Sequence, residues 1–293
     1  MDYFEFKTGD RGARLTDLIE KHLDEKASLF SFKEWAIYVS HRKVHSEKLS
    51  VRPRSMIFGV RIKQEFPKLE VAFENRELIV FDKPSGLSTQ KTLYQDEINL
   101  YDLGKLMFLG QKGMPQGFPY LGLHHRLDRD TSGLVLMTKM RSANKAIADL
   151  FSHRKIKKSY LAFCEFGQGN PQQSWVEKNR IRKGRHKRHK FFFEVGDEGQ
   201  EAVSEFECLK SVDKRWHQLS CRPRTGRTHQ LRVQLAHCGW PILGDRIYGD
   251  KKSASRLMLH AQALEFPWKG EVLKIESKQE FSPPQTDDHQ DQS

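Results

Sequence analysis

The sequence predicts a mixed α+β protein built around a largely antiparallel sheet. Segments that read as strands outnumber those that read as helices, and the two kinds alternate irregularly. Two of the strands are continuous apolar runs of strand length, Leu78-Ile79-Val80-Phe81-Asp82 and Leu134-Val135-Leu136-Met137-Thr138-Lys139. With 293 residues the chain can bury a substantial core and hold more than one domain. The expected division is a small helix-and-strand N-terminal module over 1–66, a main domain over 67–280 and a disordered tail over 281–293.

In the first segment, Leu15, Leu18, Ile19 and Leu23 fall on one helical face. Ser31 to Val39 reads as a short helix capped by Ser31, and Val60-Arg61-Ile62 reads as a strand. A linker at Phe66-Pro67 opens the main domain, and the run from Leu78 ends in the turn Lys83-Pro84-Ser85-Gly86-Leu87. Residues 104–122, rich in Gly, Met and Phe, read as a long loop or lid. After the strand from Leu134, Ala146, Ile147, Leu150 and Phe151 recur at helical spacing between Ser142, the expected cap, and His153. Lys155 to Phe163 alternates as a strand does, and further strands are expected over 203–209 and 216–221. A helix should begin near Thr228 and stop near Gly239 and Pro241.

Lys and Arg exceed Asp and Glu by twelve, and the sequence pI is about 9.5. That balance is the footprint of a phosphate-binding surface, although many basic proteins bind nothing specific. The start of the chain has no apolar signal core and no run reaches the length of a membrane span, so a soluble cytoplasmic protein is expected; the expected state is a monomer. Cys164, Cys208, Cys221 and Cys238 are widely spaced, which fits buried reduced thiols better than a zinc knuckle or a disulfide framework.

Two polar clusters carry the chemistry. The first is His125-Arg126-Leu127-Asp128-Arg129-Asp130-Thr131-Ser132-Gly133-Leu134, in which a carboxylate stands between two arginines ahead of a turn. The second, Arg224-Thr225-Gly226-Arg227-Thr228-His229-Gln230-Leu231-Arg232-Val233, supplies three more guanidiniums and another turn. Taken singly, Asp before Thr-Ser-Gly also suits a turn or a helix cap, and Arg-Thr-Gly-Arg also suits a solvated loop. Together they suggest a site for an anionic substrate.

Both runs resemble, almost letter for letter, the two motifs of the RluA family of RNA pseudouridine synthases. Lys83-Pro84-Ser85-Gly86-Leu87 matches the family's opening turn, and Lys158-Ser159-Tyr160-Leu161-Ala162 matches its Lys-x-Tyr-x-Ala. The resemblance implies a pseudouridine-synthase catalytic domain in which Asp128 is the catalytic carboxylate, Arg232 its cationic partner and Tyr160 the residue that stacks on uracil. It further implies that Leu231 walls the pocket, that Arg126 helps hold a flipped nucleotide, and that Arg227 and His229 face the substrate. No metal and no cofactor are called for, and the partner is structured ribosomal or transfer RNA. Residues 1–66 loosely resemble the small RNA-binding module that precedes the catalytic domain in many members; a plain helical cap with a basic face is the other reading.

Arg182 to Lys190, followed by three phenylalanines, forms a dense basic run. It reads either as a solvated face or as a phosphate-tracking arm in which Arg185, Lys187, Arg188 and Lys190 grip RNA. The residues also bear on two other functions. A catalytically silent RNA-binding protein would not need the Asp128, Tyr160 and Arg232 set. A magnesium-dependent nuclease would need Asp128, Asp130, Asp245 and Asp250 as ligands, in arginine-rich company that suits a dication poorly.

Overall fold

The computed structural model describes residues 3–23, 35–40, 42–44, 46, 48–61, 69–91, 98–108, 120–166, 174–184, 192–212 and 216–284. No helix among them is long and apolar enough to cross a membrane. The chain divides into two compact units, residues 1–68 with 102–121 and residues 69–101 with 122–293.

The first unit holds β1 (Tyr3–Lys7), β2 (Ala13–Arg14), α1 (Leu15–Leu23), β3 (Trp35–Val39), β4 (Arg42–Val44), β5 (Ser50–Val51) and β6 (Met56–Arg61). Leu15, Ile19 and Leu23 recur every four residues and bury one face of α1 in an apolar cluster with Phe4, Trp35 and Ile37. A four-stranded antiparallel sheet in the order β1-β6-β3-β4 supplies the other side of that cluster. The expected helix ending at Val39 is therefore corrected. Trp35 and Ile37 are buried at a period of two, and this β-branched and aromatic run takes up pairing partners on both sides. Ser31 lies outside the described residues.

The second unit begins with β7 (Glu70–Glu74) and β8 (Leu78–Lys83). Next comes α2 (Leu100–Phe108), which crosses from this unit into the first and overturns the expected loop over 104–108. Its Leu100, Leu103 and Phe108 are buried at helical spacing, and Lys105 pairs with Glu5 of β1 at 2.9 Å. Residues 109–119 of the expected lid lie outside the described residues.

Then follow β9 (Gly122–Leu123), β10 (Ser132–Thr138), α3 (Asn144–Ser152), β11 (Lys157–Glu165), β12 (Ser174–Lys183), β13 (Phe193–Gly196), β14 (Gln200–Ser211), β15 (Trp216–Pro223), α4 (Gln230–His237), β16 (Leu259–Trp268) and β17 (Glu271–Glu276). Ser142 is not a cap: it sits in a short 3-10 turn, and Ala143 precedes α3 without a side-chain bond. The sheet runs β13-β12-β14-β15-β11-β16-β10-β8-β7, with β17 on β16 and β9 on β10. Among the described residues its pairings are antiparallel except where Ser132 and Gly133 of β10 lie beside His260 and Ala261 of β16. Every residue of β8 and β10 is buried, which explains their unbroken apolar runs.

Gly133 makes the parallel junction possible. At φ +109°, a β-carbon there would stand 2.3 Å from the Ala261 carbonyl oxygen and 2.6 Å from its nitrogen. Arg182 and Lys183 belong to β12, where Lys183 pairs with Phe193, while Arg185, Lys187, Arg188 and Lys190 lie outside the described residues. Phe281 is also placed differently from the expected tail. Its ring stacks on His260 at 5.1 Å and packs at 5.1 Å from Phe163, because an aromatic side chain gains more from the core than from water.

Candidate active site

The Asp128 loop is tied down before the second motif reaches it. Lys83, fully buried at the end of β8, donates to the carbonyls of Pro84, Leu87 and Arg129 at 3.0, 2.8 and 3.0 Å. The Gly86 amide also donates to the Arg129 carbonyl, Arg129 Nε donates back to the Gly86 carbonyl, and Ser85 donates to the Asp130 carbonyl at 2.6 Å. Thr89 closes a two-way hydrogen bond with the backbone of Leu127. The opening turn is thus a clamp on the residues flanking Asp128.

Burial lowers the Lys83 pKa to about 7 against the pull of Asp128 and Asp130. Only an ammonium carries the three protons that its three carbonyl partners accept, so the geometry favours the charged form. His125, at the start of the loop, accepts the Leu136 amide on Nε2, and burial keeps it neutral by pushing its pKa down to about 3.

Asp128 projects from this clamped loop, partly exposed, and one of its oxygens meets the second motif. Arg232 on α4 donates through Nη1 to Asp128 Oδ2 at 3.2 Å. Its Nε and Nη2 donate to the two oxygens of Asp245 at 2.8 Å each, a fork-to-fork pair that is buried on both sides. Asp245 in turn accepts the amides of Ile247 and Tyr248. Burial works against charge on both partners, but the mutual hydrogen bonds prevail: Arg232 is held above and Asp245 below its ordinary pKa.

The consequence is an arginine locked in place by one carboxylate and aimed at another. Asp128 Oδ1 accepts no hydrogen bond among the described residues, so one carboxylate oxygen is held and the other is presented. A fixed anion of this kind can act as a nucleophile or as a proton acceptor.

The remaining second-motif residues divide between scaffold and site. Gln230 spends its amide on scaffold: Oε1 accepts from Thr225 and the Arg227 amide, and Nε2 donates to Val203 and Ser204. Leu231 is buried in the core cluster against which Tyr160 packs. Arg227 donates Nε to the Glu201 carbonyl, and Arg126 is exposed. His229 stands with Nε2 3.9 Å from Asp128 Oδ2 and Nδ1 2.9 Å from the Tyr248 hydroxyl. That hydroxyl already accepts the Phe193 amide, which directs its own proton to Nδ1. Burial, only partly offset by Asp128, keeps the ring below its ordinary pKa and hence neutral at pH 7.

Tyr160 on β11 is paired opposite Cys221. Burial first, and then the charges of Asp128 and Cys221, raise its phenol well above the ordinary range, so it stays protonated within the field of the Asp128 carboxylate.

The site therefore brings together Asp128, Arg232, His229 and Tyr160, and adds three residues that the motifs did not mark as site residues: Lys83, Asp245 and Tyr248. Tyr248 lies under the Arg232 guanidinium at 5.3 Å. Gly244-Asp245-Arg246 shows only a turn acid in sequence, because its partner is thirteen residues away on a helix.

The model of the family described as RNA pseudouridylate synthase matches residues 77–237. A ribosomal large subunit pseudouridine synthase D of Xylella fastidiosa is 30% identical, over 74% of this chain and 71% of its own. A ribosomal large subunit pseudouridine synthase C of Escherichia coli is 31% identical, over 71% of this chain and 65% of its own. Among solved structures, human RNA pseudouridylate synthase domain containing 4 superposes with a TM-score of 0.56 at 25% identity, covering 71% of this chain and 87% of that one. Human domain containing 1 superposes with a TM-score of 0.59 at 21% identity, over 74% and 86%, and shares the fold. With the motif residues assembled as described and this match spanning both motifs, the chain belongs to the RluA family of RNA pseudouridine synthases.

Proposed function

We propose that the protein is a cytoplasmic, monomeric enzyme that isomerises particular uridines of ribosomal RNA to pseudouridine, with Asp128 as its catalytic carboxylate. The observation that carries this reading is the chain Asp245–Arg232–Asp128, which fixes one anionic oxygen at the tip of a clamped loop and leaves the other open. The reaction breaks the N1–C1′ bond, turns the base and forms a C5–C1′ bond; the C5 proton is lost and N1 gains one, so no redox partner enters.

A carboxylate that acts on C1′ or on the ring serves this step, and Tyr160 provides a ring to stack on the uracil and a hydroxyl near C5. Leu231 walls the pocket, Arg126 holds the flipped nucleotide, and Arg227 and His229 face the substrate. The printed names of the relatives support ribosomal RNA as the substrate. Residues 67–280 together with Phe281 then form the catalytic domain, residues 1–66 a module that grips RNA, and the residues after Phe281 a tail.

Mapping pseudouridine in RNA from cells with and without the gene tests this reading. At least one ribosomal uridine should lose its modification in the deletion strain. An unchanged ribosomal map with loss in transfer RNA would move the substrate, and unchanged maps throughout would leave an RNA-binding protein without catalysis.

Arg185, Lys187, Arg188 and Lys190 are proposed to contact phosphates away from the uracil. Replacing all four by Ala should weaken RNA binding and flatten its salt dependence by about one unit of slope per lost contact, leaving turnover at saturating RNA nearly unchanged. Filter binding across a salt series measures this, and an unaltered slope returns the run to an ordinary solvated face.

A further inference from the structure

An arginine outside both motifs stands beside the Asp128 loop. Because β10 and β16 run parallel where they touch, the chain entering β16 emerges at the same edge of the sheet as the loop entering β10. Arg256 lies in that entering segment, just ahead of Leu259. Its Nη1 donates to Ser132 Oγ at 2.9 Å, and Ser132 belongs to the same motif as Asp128. Ser132 Oγ lies 2.8 Å from His260 Nδ1, so the hydroxyl, having accepted from the guanidinium, directs its proton to the ring. Burial and the neighbouring Arg256 charge keep His260 neutral, with its pKa down at about 4.

The guanidinium is held from a second side. Its Cζ lies 5.4 Å from the centre of the Phe281 ring, which stacks on His260. The segment carrying Phe281 is itself anchored at buried Asp82, which accepts from Ser277 Oγ at 2.5 Å and from the Lys278 amide at 3.1 Å. The Arg256 backbone is pinned too. Gly244, at φ +71°, lets the Arg256 carbonyl come so near that a β-carbon would stand 2.0 Å from it.

Arg256 is thus a partly buried, immobilised cation, and no carboxylate pairs with it among the described residues. Its electrostatic neighbour is another cation, Lys83. Holding such a guanidinium without a counter-charge is unfavourable, and an anionic ligand relieves the cost. A rigid planar fork suits the two oxygens of a phosphodiester.

We propose that Arg256 clamps a backbone phosphate of the RNA strand beside the target uridine, with Ser132, His260 and Phe281 as positioning residues that hold its guanidinium. The proposal rests on the reading of the Asp128 site as one that acts on RNA.

The full-length protein is assayed by tritium release from a large-subunit ribosomal RNA transcript carrying 5-tritiated uridine, at several salt concentrations. Arg256→Met should raise KM roughly tenfold or more, with the loss in KM rather than kcat. The plot of log kcat/KM against log salt should become shallower by nearly one unit. Arg256→Lys should keep the salt slope, because the charge remains, yet raise KM to an intermediate value because the fork is lost. Phe281→Leu should raise KM without changing the slope.

An unchanged KM and slope in Arg256→Met would overturn the proposal, as would a change confined to kcat or to the melting temperature. Filter binding of an oligouridylate by Asp128→Asn, with and without Arg256→Met, separates the clamp from the chemistry. A slope lost there while the wild-type protein makes no pseudouridine would refute the functional reading and keep the clamp; an unchanged slope with normal pseudouridine formation would do the reverse.

Discussion

Replacing Asp128 by Asn is expected to reduce isomerisation by roughly 10⁴-fold or more, the scale on which removal of a nucleophile or essential base acts. The amide keeps the shape of the side chain and loses its charge. RNA affinity should stay within a few-fold of wild type, because phosphate contacts rather than this carboxylate dominate binding. The structure adds an expectation about folding. Arg232 keeps its two short hydrogen bonds to Asp245 when Asp128 is neutralised, so the buried cation is not stranded and the melting temperature should change little. Tritium release, filter binding and a thermal melt on the same preparation check all three expectations. Substantial turnover by the Asn variant would refute the role given to Asp128, and a large drop in melting temperature would mean that Asp128 carries more of the Arg232 charge than the distances suggest.

The second large effect is expected at Asp245, which should affect both stability and rate. Asp245→Ala strands the Arg232 guanidinium in the interior, a fault that costs about 3–5 kcal/mol. For a domain of this size that corresponds to a fall in melting temperature of roughly 6–20 °C. Turnover should fall as well, since Asp245 supplies two of the three hydrogen bonds that orient Arg232.

The acid limb of the stability curve gives an independent check. The folded pKa of Asp245 is depressed by Arg232 and by the amides of Ile247 and Tyr248, in spite of burial, which acts in the opposite direction. Its stabilising contribution is therefore complete above the unfolded aspartate pKa of about 3.9 and is lost as pH falls through the lower folded value. The gap in stability between wild type and Asp245→Asn should narrow below about pH 4. A melting temperature for Asp245→Ala within about 2 °C of wild type would contradict the account of a buried, interdependent pair.

Much of this protein was legible as a string. Leu78 to Phe81 and Leu134 to Met137 show their burial directly, because a strand covered on both faces reads as a continuous apolar run. Leu15, Ile19 and Leu23 show their helix because a period near four exposes one face to the core. Asp128, Arg232 and Tyr160 were found through long motifs whose resemblance to a family extends across both clusters.

Other elements were not legible, for physical reasons. Trp35 to Val39 reads in sequence as the end of a short helix, and pairing with a strand on each side overrides that local reading. Strand β12 carries charges at an outer position of the sheet and so resembles a solvated basic run. Strands β16 and β17 were not anticipated at all.

What the sequence by itself determined is a mixed α+β chain with an RluA-type pair of motifs, since apolar periodicity and motif spelling are properties of neighbours along the chain. The tertiary structure alone decided that Arg232 is gripped by Asp245 before it reaches Asp128, that Lys83 clamps the loop from beneath, and that Arg256 is pinned between Ser132 and Phe281. Each of these depends on which buried polar group finds which partner. The low-dielectric interior makes an unpaired group of this kind costly, but the partner is chosen by sheet order and helix placement rather than by proximity in sequence.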